Sequence, residues 1–264
     1  MLGLELGLGI GARFEVVMPD GVRARAYSSP TLELRRRVAE ELFAYSPSPV
    51  VTPIDRLCLV DTAGVTRDCA SVSSGDWSGF TSDPTSHQAT VTGSVSVTAS
   101  YTVGYFRAYS GAVLYFESAV YPTFDVYSGL SVALSMTLTI TSNHSPSVSG
   151  GLPSVGSADS SVLRGLLLEI LRGARPPGAY LTLEGVNWRA GFSVLLSVPL
   201  VRSYTTGATS GSAYHDYRNF SFGGNLDRVH VDCTNIADCI VYLFTSALPV
   251  STGDRARYSI TISV

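Results

Sequence analysis

Lysine is missing from this chain, and all 18 basic residues are arginine. Set against 21 acidic residues they leave a net charge of −3, so there is no basic field to hold a nucleic acid backbone. Charged residues make up 15% of the sequence, short of the roughly 25% of ordinary soluble domains. A GC-rich coding sequence explains arginine without lysine. So does selection for planar, permanently charged donors at interfaces and in hot conditions. No run of 18 apolar residues occurs, which argues against a membrane-spanning helix. The amino-terminal stretch MLGLELGLGIGARFEVV is apolar but has no basic start and carries Glu5, so it does not read as a secretory signal. A chain of this kind found outside a cell is expected to leave by another route, such as release with a virion.

Chemistry-bearing motifs are equally scarce. No Gly-x-Ser-x-Gly elbow, His-Glu-x-x-His helix or phosphate-binding Walker loop is present. Gly7-Leu8-Gly9-Ile10-Gly11 lacks the preceding strand and following helix that a dinucleotide loop needs. Acidic residues occur singly, with no paired acid–base arrangement, although carboxylates on distant strands can still converge. The expectation is therefore no enzyme, no cofactor and no metal.

Serine, threonine, glycine and tyrosine fill the place of the missing charge, and they alternate with apolar residues. Alternation with period two is the signature of a half-buried strand. It is clearest in Ala89–Tyr105 and in Val113–Thr141, read as two strands joined through Pro122–Gly129. Gly3–Met18 alternates more loosely, meets the turn Pro19-Asp20-Gly21 and returns through Val22–Tyr27, giving an amino-terminal hairpin. Two stretches break the pattern with helical spacing. Thr31–Tyr45 places Leu34, Val38, Leu42 and Tyr45 on one face, with Arg35–Arg37 and Glu40–Glu41 on a solvated one, before Pro47 and Pro49 stop it. Ser160–Gly173 is the second, stopped by Pro176-Pro177-Gly178. Val65–Ser86 and Tyr204–Gly224 read as loop-rich, and Ser142–Ser160 as a Ser/Gly/Pro linker.

The order helix, strand, polar excursion, several strands, final strands occurs twice. An offset of 128 residues lays Arg164 on Arg36, Glu169 on Glu41 and Ile170 on Leu42. Near the ends, Leu243–Leu248 echoes Leu114–Val120, and Tyr258–Ser263 echoes Met136–Thr141. The expected fold is mainly β: two tandem antiparallel β-sandwich (jelly-roll-like) domains, each with one α-helix, from internal duplication. The boundaries are an amino-terminal strand or hairpin at 1–27, sandwiches at 28–141 and 160–264, and a linker at 142–159.

Four cysteines, Cys58, Cys69, Cys233 and Cys239, form two sequence-local pairs, one in each half. Two local disulfides and free buried thiols both fit, and the spacing is poor for metal. Of His87, His144, His215 and His230, only His215 sits in a cluster, with Tyr214, Asp216, Tyr217 and Arg218. Such a cluster suits a contact surface better than a catalytic site. Asn143-His144-Ser145 and Asn219-Phe220-Ser221 match the glycosylation pattern, which favours exposed positions.

The Thr/Ser/Val strands of Val91–Thr141, the turn Tyr-Ser-Gly-Ala-Val-Leu-Tyr-Phe-Glu (109–117) and the strand entry Ser-Gly-Leu-Ser (128–131) carry a resemblance. Together they resemble β-sandwich structural proteins of viruses infecting hyperthermophilic archaea and of thermophile phages. The resemblance implies a self-assembling subunit of a virion or extracellular filament, with copies of itself, other virion proteins or a host surface as partners. It supplies no functional residues. The expected assembly element is Leu2–Val17, with Leu2, Leu4, Leu6, Leu8, Ile10, Phe14 and Val16 entering a neighbour's sheet. The competing classes are a carbohydrate- or ligand-binding module using the Tyr204–Tyr217 loop, and a hydrolase with dispersed acids.

Overall fold

A computed structural model describes residues 1–19, 21, 23–44 and 48–264. Asp20 and Val22 of the predicted first hairpin, and Tyr45 and Pro47 at the end of the first helix, lie outside the described residues. The strands of the first half are β1 (Leu2–Val17), β2 (Arg23–Ser28), β3 (Arg56–Asp61), β4 (Thr66–Ser71), β5 (Trp77–Ser82), β6 (Ser86–Ser96), β7 (Tyr101–Ser110), β8 (Val113–Val126) and β9 (Ser131–Val148). Those of the second are β10 (Val155–Asp159), β11 (Leu183–Ala190), β12 (Ser193–Pro199), β13 (Val201–Tyr204), β14 (Ser210–Asn219), β15 (Gly224–Cys233), β16 (Ile236–Val250) and β17 (Arg255–Ser263). Helices α1 (Leu32–Phe43) and α2 (Ser161–Leu171) interrupt them. Strand accounts for 63% and helix for 10%, which makes the chain mainly β.

One layer is a sheet of eight strands in the order β13-β14-β17-β1-β9-β6-β5, with β2 added beside β1. The second layer consists of two smaller sheets, β4-β3-β7-β8 and β10-β16-β15-β11-β12. The alternation of β1 decides which face is inner. Leu2, Leu4, Leu6, Leu8, Ile10, Ala12, Phe14 and Val16 are all buried, while Glu5, Gly9 and Arg13 on the other face are exposed. Burying each larger apolar side chain contributes about 1.5–3 kcal/mol, so this one strand anchors much of the core. Both small sheets cover the same inner face. Phe14 meets Phe106 of β7 at 5.8 Å between ring centroids, and Tyr258 of β17 meets Trp188 of β11 at 6.5 Å.

The two halves carry the same strand order. Outward from β1, β9-β6-β5 on one side faces β17-β14-β13 on the other, and β4-β3-β7-β8 corresponds to β12-β11-β15-β16. The helices bridge the halves: α1 packs on β13 and β14 as well as on β8 of its own half, and α2 on β6 and β9 as well as on β16 of its own half. Helix α1 starts where Thr31 caps it, its hydroxyl accepting from the Leu34 amide at 3.3 Å.

Several expectations need correcting. The segment 142–159 is not a linker between separate sandwiches. Residues 142–148 continue β9 alongside β1, and 155–159 form β10. This tract hid its strand because its side chains are largely exposed, so ladder hydrogen bonds rather than an apolar stripe hold it. Nor are 28–141 and 160–264 independent, since the eight-stranded sheet takes strands from both and one core runs through the molecule. β8 and β9 are not a hairpin: β8 pairs with β7 and β9 with β1 and β6, so the chain changes layer between them. β4 and β5 lie in the expected loop 65–86, and β14 in the expected loop 204–224.

Candidate functional site

The proposed donor strand is already engaged. β1 pairs antiparallel with β9 along Leu2–Val17, parallel with β17 along Leu2–Gly7, and antiparallel with β2 along Ala12–Val17. The side chains nominated for a neighbour's sheet, Leu2, Leu4, Leu6, Leu8, Ile10, Phe14 and Val16, fill this chain's own core. A strand of alternating leucines with glycines between them reads as unpaired only until its partners, distant in sequence, are identified.

Cys58 bonds to Cys69 across β3 and β4, with 4.1 Å between Cα atoms, and Cys233 bonds to Cys239 across β15 and β16, with 5.8 Å. The two bridges occupy different places in the repeated strand order, so they do not correspond to one another.

His215 does not line a surface. It lies in β14 at 2% exposure, with its Nε2 accepting the Trp188 indole N–H at 3.1 Å and its Nδ1 2.6 Å from the Asp216 carbonyl. Since Trp188 can only donate, Nε2 must be bare and Nδ1 must carry the proton. Burial lowers its pKa, and its ring stacks on Tyr258 at 15° between planes. It is a neutral core histidine. Tyr204 closes its own hairpin, its hydroxyl donating toward the Ala208 and Arg36 carbonyls. The solvated face assigned to α1 also needs revision. Glu41 is buried, accepts both Arg175 guanidinium nitrogens at 2.5 and 3.2 Å, and accepts the Val51 amide at 2.8 Å.

A second polar cluster lies where α2 meets the first half. Arg164, at 1% exposure, donates to His87 Nδ1 at 3.3 Å, to Ser142 and Ser160 hydroxyls at 2.5 and 3.1 Å, and to the carbonyls of Asp83 and Pro84 at 3.3 and 2.9 Å. Among the described residues no carboxylate forms an ion pair with it. Five neutral acceptors satisfy the guanidinium, which is what permits burial of the charge. His87, bare at Nδ1, carries its proton on Nε2 and donates to Ser82 at 2.9 Å. Burial first and the Arg164 charge second lower the pKa of His87 and of His144, whose Nε2 lies 3.1 Å from Ser160. Arg36 does the matching task in α1, donating to the Gly207 carbonyl in the β13–β14 turn at 2.8 Å. Each helix thus holds the edge hairpin of the opposite half by an arginine. The strand ends correspond as well: the Ser142 amide donates to Thr85 and the Val264 amide to Thr209.

The open surface lies on the outer face of the eight-stranded sheet. Its rows run across strands: Thr90, Thr137, Arg13 and Tyr27 in one, Gln88, Thr139 and Gly11 in the next, Ser212, Thr261, Glu5 and Ser145 farther along. Hydroxyl pairs brace it, as between Thr90 and Thr137 at 2.9 Å and Ser94 and Ser131 at 2.9 Å. At the two ends of the main strand order lie short strands that, among the described residues, pair on one side only, as β2 also does beside β1. β5 presents Phe80, half-exposed under the Arg172 guanidinium at 4.5 Å, and β13 presents the half-exposed Val201. Neither edge was legible as such, because edges are defined by partners rather than by composition. Among the described residues no cluster of three metal-ligating side chains occurs. No helix is long and apolar enough to cross a membrane, again among the described residues. Searches for similarity to protein-family models, curated proteins and solved structures give no match.

Proposed function

We propose that this chain is a structural, non-enzymatic subunit that assembles with copies of itself through sheet edges, in a virion or an extracellular filament. The observation that carries this reading is the pair of open edges, β5 and β13, at the two margins of one sheet. We also read the halves as copies of one ancestral jelly-roll-like unit. The repeated strand order, the bridging helices and the matched Arg36 and Arg164 contacts support it. A duplicated unit puts equivalent strands at both margins and so makes the subunit bivalent. Joining β5 of one copy to β13 of the next prolongs the sheet, and a head-to-tail contact of this kind grows into an open filament unless it closes into a ring.

Edge strands that avoid pairing carry lysine, proline or inward charge. β5, with the sequence Trp-Ser-Gly-Phe-Thr-Ser, has none of these, although a bulge at Gly79 and Phe80 interrupts its ladder with β6. Two disulfides suit an oxidising setting. The test is sedimentation together with electron microscopy of the purified protein. Native chains should form concentration-dependent filaments or rings, and Phe80→Lys with Val201→Lys should leave folded monomers. Native protein that stays monomeric at millimolar concentration sinks the reading.

A further inference from the structure

The ladder along β1 has a gap. On the side of β1 away from β9, β17 pairs only as far as Gly7 and β2 begins only at Ala12. Residues Leu8–Gly11 therefore have no strand partner on that side, in the middle of an otherwise continuous sheet. At 3.3 Å per residue the opening is about 13 Å long, enough for two sugar rings. Two troughs flank it on the outer face. One, about 390 Å³, is bounded by Gly11, Arg13, Tyr27, Gln88 and Thr139, and the other, about 360 Å³, by Gly7, Gly9, Asn143 and Ser263.

We propose that this notch binds an acidic saccharide of one or two rings. Gly11 is the first reason. A Cβ on Gly7 or Gly9 would collide with Asn143 or Thr141 leaning across from β9, so packing accounts for those glycines. A Cβ on Gly11 would meet nothing within 4 Å, so the fold does not require its absence there. Glycine within a strand weakens it, and one role that offsets the cost is close approach of a ligand. The side chains around Gly11 are the second reason. Tyr27 is 75% exposed and stands directly across from Arg13, offering a ring face to the C–H face of a pyranose. The side chains of Arg13, Gln88 and Thr139 make no hydrogen bond or ion pair within the described structure, so their donors are free for hydroxyls and a carboxylate.

Local charge decides between a neutral and an acidic sugar. Among the described residues of β1 and β2, the carboxylate on this end of the notch is Glu15, and Arg23 and Arg25 engage it at 3.5 and 3.2 Å. Arg13 adds its field to theirs at Glu15 but makes no ion pair with it, and it stands as a positive charge at the rim of a chain whose net charge is −3. A guanidinium with planar donors and no hydrogen bond of its own favours a carboxylate by two-point contact.

Titration calorimetry with digalacturonic acid and with neutral cellobiose tests the assignment on the full chain. The native protein should bind the acid at least tenfold more tightly than cellobiose. Gly11→Leu covers the floor from a Cβ that meets nothing within 4 Å, so it should keep the thermal unfolding profile and lose binding of the acid. Tyr27→Ala should weaken both sugars, while Arg13→Gln should reduce the acid to the affinity of cellobiose. No saturable signal with digalacturonic acid, undiminished binding by Gly11→Leu, or equal affinity for the two sugars each overturns the proposal. So does a response confined to a β-strand peptide or to duplex DNA.

Discussion

Arg164 shows how a charge can be buried without a counter-ion when neutral oxygens and a ring nitrogen converge on it. Replacing it with leucine strands those acceptors, and each buried polar group left unmade costs about 1–3 kcal/mol. Arg164→Leu should therefore lower the urea midpoint substantially, whereas Arg164→Lys should recover only part because one ammonium cannot reach both hydroxyls and both carbonyls. The histidines set a pH dependence. Burial holds His87, His144 and His215 below their usual 6.5. Between the depressed and usual values the unfolded chain binds more protons than the folded one, so stability rises with pH in that window. Stability should be fully present above pH 6.5 and decline as pH falls toward the folded-state values. Urea melts at successive pH values check this, and replacing His215 with glutamine should flatten the slope. Of these residues, the 128-residue offset singled out Arg164 by laying it on Arg36, without showing that it is buried or what it binds. That His215 is a core group was not legible, because its partner Trp188 lies on a different sheet.

Among elements, β1 is the one the fold least tolerates losing. Removing residues 1–17 takes out the strand between β9 and β17 together with eight buried side chains, so the truncated chain should be insoluble rather than a soluble monomer. Soluble, cooperatively unfolding protein after that truncation would contradict the placement of β1. The disulfides span short loops, 11 and 6 residues, and chain-entropy reasoning assigns each about 2–3 kcal/mol. Reduction should lower the melting temperature without abolishing the β-sheet signal in circular dichroism. Alternation made β1, β6 and the first part of β9, as far as Ile140, readable, since one face of each meets the core there. β5 and β14 were missed for a physical reason. β5 is exposed along nearly its whole length, and the second half of β14 emerges into solvent as Asp216–Asn219, so neither maintains a periodic apolar face.

At the scale of the molecule, the sequence repeats an order of elements in its two halves but does not show how those halves join. Composition marked 142–159 as a spacer, whereas pairing makes it part of the shared sheet. Fragments 1–150 and 151–264 should consequently fail to fold alone and recover a native spectrum when refolded together. Independent folding of either fragment would restore the two-domain picture. The bridging helices deepen this dependence, since each half lacks the cover for its own edge hairpin until the other arrives.

The parallel pairing of Leu2–Gly7 with Tyr258–Ser263 has a consequence during synthesis. A ribosome delivers the leucines of β1 long before the strand that completes their sheet. Nearly the whole chain must emerge while that stripe waits, and long-range pairing of this kind forms slowly. Nascent chains stalled anywhere before β17 should bind holding chaperones, and release should coincide with the last strand leaving the exit tunnel.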